Sequence, residues 1–195
     1  MWSDAHFEAL VPYMRLLADA GQKVVTTTLN KDPWNNQCFD SYADMIVWTK
    51  NADGAWSYDY TVFDRWVELM TGLGIDHTIN CYSMLPWNNE LRYRDGVTGR
   101  FVDVTADPGT PAFEELWVPF LTDFPGHLRE QGWLGRANLA MDERSPEEMT
   151  CEQHLLPNTA PAPEHDQAHN NNSLLTYTLP TTMCVHDRKR HPPLY

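Results

Sequence analysis

The sequence has few basic residues, few cysteines and no long apolar run, and each shortage excludes a class of function. It holds 14 Lys and Arg against 27 Asp and Glu, a formal net charge of −13. Nucleic-acid-binding proteins neutralise phosphates with clustered Lys and Arg, so we expect no nucleic-acid partner. No stretch approaches the roughly 20 apolar residues of a membrane-spanning helix. The four cysteines are far apart and form no Cys-x-x-Cys pair, so we expect free thiols and no metal site.

Glycine, tryptophan and phenylalanine are absent from Cys151 to the C-terminus. All ten Gly and all eight Trp precede residue 136, whereas this last segment holds five of the eight His. The segment shows no sustained helical or strand period and little of the apolar content that offsets ordering entropy. We therefore predict a folded domain over residues 1–150 and a disordered, unrelated tail over residues 151–195.

The junction between these two parts begins like a helix that does not continue. Residues 145–148, Ser-Pro-Glu-Glu, combine an N-cap serine, a proline in the first turn and a glutamate placed for a capping box. No amphipathic body follows, and Pro157 interrupts the remaining pattern. The sequence thus predicts a truncated domain that is followed by a frameshifted or misjoined segment.

The first part of the chain alternates between helical and strand patterns. Helical patterns cover residues 4–20, about 60–71 and 110–132, and we expect Pro119 and Pro125 to kink or split the third helix. A strand pattern follows each helix closely, at Lys23–Leu29, Asp76–Tyr82 and Ala137–Met141. Such alternation predicts parallel strands in an α/β fold.

The strand-to-helix connections are long, whereas the helix-to-strand turns are short. Residues 30–58 and 83–109 each contain an Asp-Gly pair between two strand-like runs, which is typical of a β-hairpin. Long connections on one rim are how (β/α)8-barrel enzymes build active sites, although a complete barrel needs at least about 200 residues. We therefore predict part of a TIM barrel with hairpin insertions. A doubly wound sheet is the alternative, but no Gly-rich phosphate loop follows a strand to favour nucleotide binding.

Two adjacent acidic residues, Asp142 and Glu143, follow the third predicted strand directly. Catalytic residues of barrel enzymes lie at this end of the strands, although acidic residues near helix N-termini are also common for electrostatic reasons. Adjacent residues do not suit an acid and a nucleophile that flank a sugar about 5–5.5 Å apart. They suit one acid that protonates the leaving oxygen and a second that orients a nucleophile belonging to the substrate.

Aromatic and amide side chains gather on the long connections and at the strand ends. Sugars present apolar C–H faces and hydroxyl edges, which aromatic rings and amides can bind. Alternatively, the rings pack the hairpins onto the barrel. The predicted substrate-binding residues are Asn30, Trp34, Asn80, Tyr82, Trp87 and Asn89.

Four segments resemble the catalytic domain of glycoside hydrolase family 123, and all lie within residues 1–149. They are Trp2-Ser3-Asp4, Thr28-Leu29-Asn30-Lys31-Asp32-Pro33-Trp34, Asn80-Cys81-Tyr82-Ser83-Met84 and Met141-Asp142-Glu143-Arg144-Ser145-Pro146. The resemblance implies a retaining N-acetyl-β-galactosaminidase without metal or organic cofactor. Its substrate would be a glycan or glycolipid with terminal β-linked N-acetylgalactosamine, whose own acetamido group acts as nucleophile.

The same resemblance assigns roles to the acidic pair. Glu143 would be the general acid and base, and Asp142 would hold the acetamido N–H at the end of the fourth barrel strand. The chain would then span the first helix to the fourth strand, which leaves an inactive or merely sugar-binding fragment as the alternative. The start of the chain lacks a secretory pattern and leaves the compartment open, although export is compatible with the family.

Overall fold

The computed structural model describes residues 1–34, 43–141 and 144–145, together with the backbone of residues 176–178. Within these ranges the helices are α1 (Asp4–Asp19), α2 (Thr61–Gly72) and α3 (Pro111–Glu130). The strands are β1 (Val24–Thr28), β2 (Val47–Lys50), β3 (Trp56–Asp59), β4 (Thr78–Tyr82), β5 (Glu90–Asp95), β6 (Phe101–Thr105), β7 (Ala137–Ala140) and β8 (Thr176–Thr178). The predicted α/β class is confirmed, whereas the predicted disorder of residues 151–195 falls outside the described residues, β8 excepted.

Local sequence signals set the ends of the helices. The Ser3 hydroxyl accepts a hydrogen bond from the His6 N–H at 3.3 Å, and the Thr110 hydroxyl accepts one from Phe113 at 3.3 Å. Gly21 follows α1 with a positive φ of 91°, a conformation that a residue without Cβ adopts at little cost. The helices begin and end close to the predicted positions for these reasons.

The sequence predicts that Pro119 and Pro125 kink or split helix α3. The helix runs through both prolines as one 20-residue helix, so a split is wrong, whereas a kink stays a prediction. A proline inside a helix costs about 3 kcal/mol or more. Burial of one large apolar side chain contributes about 1.5–3 kcal/mol in the opposite direction. The helix buries seven such side chains along one face: Phe113, Leu116, Trp117, Phe120, Leu121, Phe124 and Leu128. Tertiary packing therefore outweighs the local cost.

Strands β1, β4 and β7 form a parallel sheet, and β8 pairs antiparallel with β7. We call this the parallel sheet. Thr28 is in register with Tyr82, and Tyr82 with Ala140, so the carboxyl ends of the three parallel strands are level. Helix α2 packs against it, and the Trp66 indole N–H donates to the Thr26 carbonyl at 2.9 Å.

The two predicted hairpins are confirmed as β2–β3 and β5–β6, but they also join each other. Strands β2 and β5 pair in parallel, which makes a four-stranded sheet of order β3-β2-β5-β6 that we call the hairpin sheet. Gly96 donates its N–H to the Lys50 carbonyl at 2.9 Å, and a Cβ at Gly96 would lie 2.9 Å from that oxygen. Over the described residues both sheets are open, so a partial TIM barrel is not confirmed.

The hairpin sheet packs into the main core through Trp48. The Trp48 ring stacks on Phe120 with centroids 4.5 Å apart and meets Trp117 edge-on at 5.0 Å. The Trp48 indole N–H donates to the carbonyl of Leu29, just beyond β1, at 2.9 Å. The hairpins are thus tied to both α3 and the parallel sheet. No helix in the described part of the chain is long and apolar enough to cross a membrane.

Candidate functional site

The candidate site lies where β1, β4 and β7 end together. Asn30, Tyr82 and Met141 lie at or just beyond these ends. Asp142 and Glu143 come next in the chain and lie outside the described residues, so their predicted roles remain a prediction. The residues on either side of the pair in sequence, Met141 and Arg144, are described.

Arg144 contacts two of the predicted substrate-binding residues. Its Nη2 donates a hydrogen bond to the Asn89 side-chain oxygen at 2.6 Å, and its guanidinium carbon lies 5.4 Å from the centroid of the Trp87 ring. The Asn89 amide nitrogen in turn donates to Asp107 at 2.8 Å. The structure therefore brings Trp87 and Asn89 to the residue that follows the acidic pair. Sequence reasoning did not name Arg144 as a site residue, although Arg144 lies in the segment 141–146 that resembles the family.

An unusual backbone conformation presents Trp87 and Asn89. Residues Trp87–Asn89 form a tight turn after Pro86, in which Asn88 and Asn89 have positive φ values of 66° and 53°. Asparagine tolerates this left-handed region better than most residues, but such conformations still cost of order 1–3 kcal/mol and gather at binding sites. The Asn89 carbonyl accepts from Ala106 at 2.9 Å, which fixes the turn against the end of β6.

Trp34 and Tyr82 form a second aromatic contact at the strand ends. Their ring centroids are 5.5 Å apart, and both side chains are half-buried. The Trp87 N–H donates to the Pro33 carbonyl at 2.9 Å, which links the segment before Trp34 to the Trp87 turn. Trp34 and Tyr82 are thus in ring contact, and Trp87 is joined to the same region through its backbone.

Asn30 has a structural partner for each end of its amide. Its nitrogen donates to the Arg92 carbonyl at 2.9 Å, and its oxygen accepts from the Arg92 N–H at 2.7 Å. Asn30 is only 3% exposed. Its two hydrogen bonds with Arg92 connect the end of β1 to the hairpin sheet. This geometry explains the buried amide without a sugar, and the predicted contact with substrate remains untested.

Asn80 lies on the polar face of the parallel sheet. Side chains alternate along a strand, and Ile79 and Cys81 are buried in the core, so Asn80 and Tyr82 point to the other face. Over the described residues, neither the Asn80 side-chain oxygen nor the Thr28 hydroxyl has a hydrogen-bond partner, although both atoms are buried. An unpaired buried polar atom costs about 1–3 kcal/mol, which favours a ligand or water at this face.

A charged network flanks Asn30 on the hairpin sheet. Lys31 binds Glu90 at 2.6 Å, and the Arg92 Nε binds Asp103 at 2.8 Å. The hydrogen bond from Arg92 lowers the pKa of Asp103, whereas burial raises the pKa of Asp44 despite the nearby Arg92. The described residues contain no group of three or more side chains suited to holding a metal ion. These contacts are structural ion pairs that connect Lys31 and the strands of the hairpin sheet.

Comparisons with known proteins agree on one family. The model for "Glycoside hydrolase 123, catalytic domain" matches residues 1–191, further than the residues 1–149 that carry the sequence resemblance. A family 123 glycoside hydrolase from Clostridium perfringens, solved in a study of glycolipid glycan hydrolysis, is 34% identical with a TM-score of 0.75. The similarity covers 82% of this chain and 28% of that chain. No curated protein matches the chain significantly.

Proposed function

Because the chain belongs to the family of glycoside hydrolase 123 catalytic domains, we propose that it carries a retaining glycosidase site for terminal β-linked N-acetylgalactosamine. The proposed architecture is the first helix to the fourth strand of a TIM barrel. The helix–strand alternation and the level ends of β1, β4 and β7 support it. The chain spans only 28% of the Clostridium perfringens enzyme, so a sugar-binding fragment without turnover is the second candidate.

The observation that carries the proposal is the contact of Arg144 with Trp87 and Asn89. It joins a ring and an amide, both suited to sugars, to the residue covalently bonded to Glu143. Aromatic faces bind the C–H faces of sugars, and amides bind hydroxyls. The unpaired oxygen of Asn80 supplies a further acceptor on the polar face of the parallel sheet.

The proposed reaction needs only the substrate, water and the acidic pair. The acetamido oxygen attacks the anomeric carbon and the glycosidic C–O bond breaks, while Glu143 gives its proton to the leaving oxygen. Asp142 accepts a hydrogen bond from the acetamido N–H, which becomes more acidic as the oxazolinium forms. Water then attacks the anomeric carbon, Glu143 takes a proton from that water, and the oxazolinium ring opens with retained configuration.

The role of Glu143 is tested by the variant Glu143→Gln. We expect hydrolysis of substrates with poor leaving groups to slow by about 10²–10⁴, the usual contribution of general acid catalysis. Substrates with acidic phenol leaving groups should lose less, since they scarcely need protonation. Glu68→Gln, on the exposed side of α2, is the control. Equal losses on both kinds of substrate would refute the acid role.

Asp142→Asn tests the substrate-assisted mechanism, because it keeps the shape of the side chain but removes its charge. We expect a loss of about 3–4 kcal/mol in transition-state stabilisation, by analogy with one strong electrostatic stabiliser. A thiazoline that mimics the cyclised intermediate should bind the unsubstituted chain far more tightly than the variant. Binding of that thiazoline without hydrolysis would favour the sugar-binding fragment. A covalent glycosyl adduct on Asp142 or Glu143 would contradict the mechanism.

A further inference from the structure

We propose that one face of helix α1 binds the same face of a second copy of this chain, with the two helices antiparallel. This face lies on the side of α1 away from the buried Phe7. It has no charged side chain, and all of its members are exposed: Ala5, Ala9, Pro12, Tyr13 and Leu16. We call it the outer face. The inference goes beyond the proposed function and does not depend on it.

Helix α1 buries little of its apolar surface against the rest of the described structure. In the part of the chain that the structure describes, Phe7 is the one buried residue of α1, whereas α3 has eight. On the outer face, Tyr13 is 65% exposed and Leu16 is 68% exposed. Helices in proteins owe most of their stability to the packing of an apolar face. Burial of the outer face would therefore stabilise α1.

The outer face is a continuous stripe and not a set of scattered residues. Side chains three or four positions apart lie one above the other on a helix, and the members of the outer face follow this spacing. Single exposed apolar side chains are normal, whereas contiguous apolar patches with a polar rim mark interaction sites. The charged residues of α1 form such a rim along one flank: Asp4, Glu8, Arg15 and Asp19. This pattern is typical of a contact surface for another helix.

The charges of α1 favour a second copy over a membrane as the partner. Three of the four charged residues are acidic, and the whole chain has a formal net charge of −13. Helices that lie on anionic membranes carry Lys and Arg on their polar face, so a lipid surface fits poorly. Glu8 and Arg15 are both exposed and lie about two turns apart on the same flank. An antiparallel copy would present the opposite charge to each of them.

One antiparallel register pairs the apolar residues by size. With Ala5 opposite Leu16 of the second copy, Ala9 lies opposite Pro12 of that copy. Each layer then sets a small side chain against a larger one, so the two helices can approach closely. A two-fold axis relates the copies, which makes every contact occur twice. The outer face is thus complementary to itself.

The same register pairs the charged residues on the flank. Glu8 lies beside Arg15 of the second copy, in the flanking positions where paired helices form salt bridges. Asp4 also approaches Asp19 of the second copy, but Arg65 binds Asp4 at 2.6 Å in its own chain and reduces this repulsion. Charge complementarity therefore selects the register that the apolar residues also favour.

We expect the dimer to be weak. Two copies with a formal charge of −13 each repel one another, although the Debye length of about 8 Å at physiological salt screens distant charges. A single helix pair also forms a small interface, below about 1,200 Å² in total, which is typical of weak complexes. We therefore expect a dissociation constant on the order of 10–100 µM at physiological salt.

Sedimentation equilibrium of the full chain at increasing concentrations measures the association. The average mass should rise from that of one chain to that of two and then stay constant, because a two-fold interface closes. The mass of one chain up to about 1 mM would overturn the proposal and leave the outer face to a different polypeptide. Assemblies larger than two chains would also overturn it. The measurement involves no hydrolysis, so its outcome is separate from that of the glycosidase proposal.

Leu16→Glu tests whether the outer face is the interface. It would place two unpaired carboxylates in the contact, so it should weaken association at least about tenfold. Leu16 is exposed in the single chain, and circular dichroism of a dilute sample should show an unchanged fold. Val97→Glu is the matched control, since Val97 is 74% exposed in the β5–β6 turn, and it should associate like the unsubstituted chain. Equal association by Leu16→Glu and the control would overturn the proposal.

Opposite charge reversals test the antiparallel register. Glu8→Arg and Arg15→Glu each set like charges against one another, so each variant alone should associate severalfold to about tenfold more weakly. A mixture of the two should associate as well as the unsubstituted chain, because one variant is then basic and the other acidic at both positions. A mixture that associates no better than its separate components would refute the register and with it the proposed dimer.

Discussion

The parallel sheet and the hairpin sheet differ in the side chains that they carry and in how they contact the core. The parallel sheet buries one face, on which Val25, Ile79 and Leu139 have no exposed surface. Its other face carries polar side chains, among them Asn80, whose oxygen has no hydrogen-bond partner over the described residues. At the level ends of these strands lies the candidate site.

The hairpin sheet contributes mainly aromatic packing. Trp48 stacks on Phe120 and meets Trp117 and Tyr58 edge-on, so one strand of a connecting segment lies at the centre of the core. The long strand-to-helix connections are therefore part of the hydrophobic core and not only surface loops. They supply a large part of the burial that holds the sheet and α3 together.

Replacement of Trp48 by alanine should have the largest effect and would test this comparison most severely. A buried Trp→Ala change costs about 3–5 kcal/mol, because it loses both apolar burial and packing around the cavity. Urea unfolding measures the difference in free energy. Trp56→Ala is the matched control, since Trp56 lies on the adjacent strand and is only half-buried. A cost for Trp48→Ala as small as about 1 kcal/mol, and no greater than that for Trp56→Ala, would mean that the hairpin sheet adds little to the core.

Replacement of the asparagines at the ends of β1 and β4 by alanine should change the free energy of unfolding by an intermediate amount. Asn30→Ala deprives the Arg92 N–H and carbonyl of their side-chain partners and should cost about 2–3 kcal/mol in unfolding free energy. Asn80→Ala should cost less than about 1 kcal/mol, because the Asn80 oxygen is unpaired over the described residues. The same unfolding experiment compares them. A greater cost at Asn80 would show that its polar face is structural.

Asp44→Asn should have the smallest effect, visible as a change in pH dependence. Burial raises the pKa of Asp44 above its usual value of 3.8. From that value up to the raised pKa, the folded protein binds more protons than the unfolded chain, so stability falls as pH rises. The variant should remove this fall, which for one proton is at most about 1.4 kcal/mol per pH unit.

Unfolding at a series of pH values, starting below 3.8, measures the Asp44 effect. Asp53→Asn is a suitable control because Asp53 is exposed in the β2–β3 turn, where asparagine can also accept the hydrogen bond from Ala55. The Asp53 variant loses the same charge at an exposed position, so it controls for the loss of one carboxylate. If the Asp44 variant keeps the pH profile of the unsubstituted chain, the buried carboxyl does not titrate differently on folding.

The helices and hairpins were predictable because their signals are local. Caps at Ser3 and Thr110, a glycine after α1 and Asp-Gly turns act within a few residues. The joining of the two hairpins was not predictable, since the pairing of β2 with β5 depends on residues far apart in sequence, such as Lys50 and Gly96. The continuity of α3 through two prolines likewise depended on what the helix packs against.

The candidate site was predictable in residue type but not in arrangement. Trp87 and Asn89 both contact Arg144, the residue that follows the acidic pair in sequence, and no spacing pattern indicated this contact. Asn30 had the same sequence signal as Asn80, an amide at a strand end, yet its amide binds backbone. The difference arises because a strand of the hairpin sheet passes beside Asn30.

By itself, the sequence determined the alternation of helices and strands, the two hairpins and the family, since caps, side-chain period and short motifs are properties of neighbouring residues. Only the tertiary structure decided that Trp48 would be a core residue, that Asn30 would clamp a distant strand and that Arg144 would meet Asn89. Such contacts join residues widely separated along the chain. Their partners are therefore set by how the sheets and α3 pack together, which no local pattern encodes.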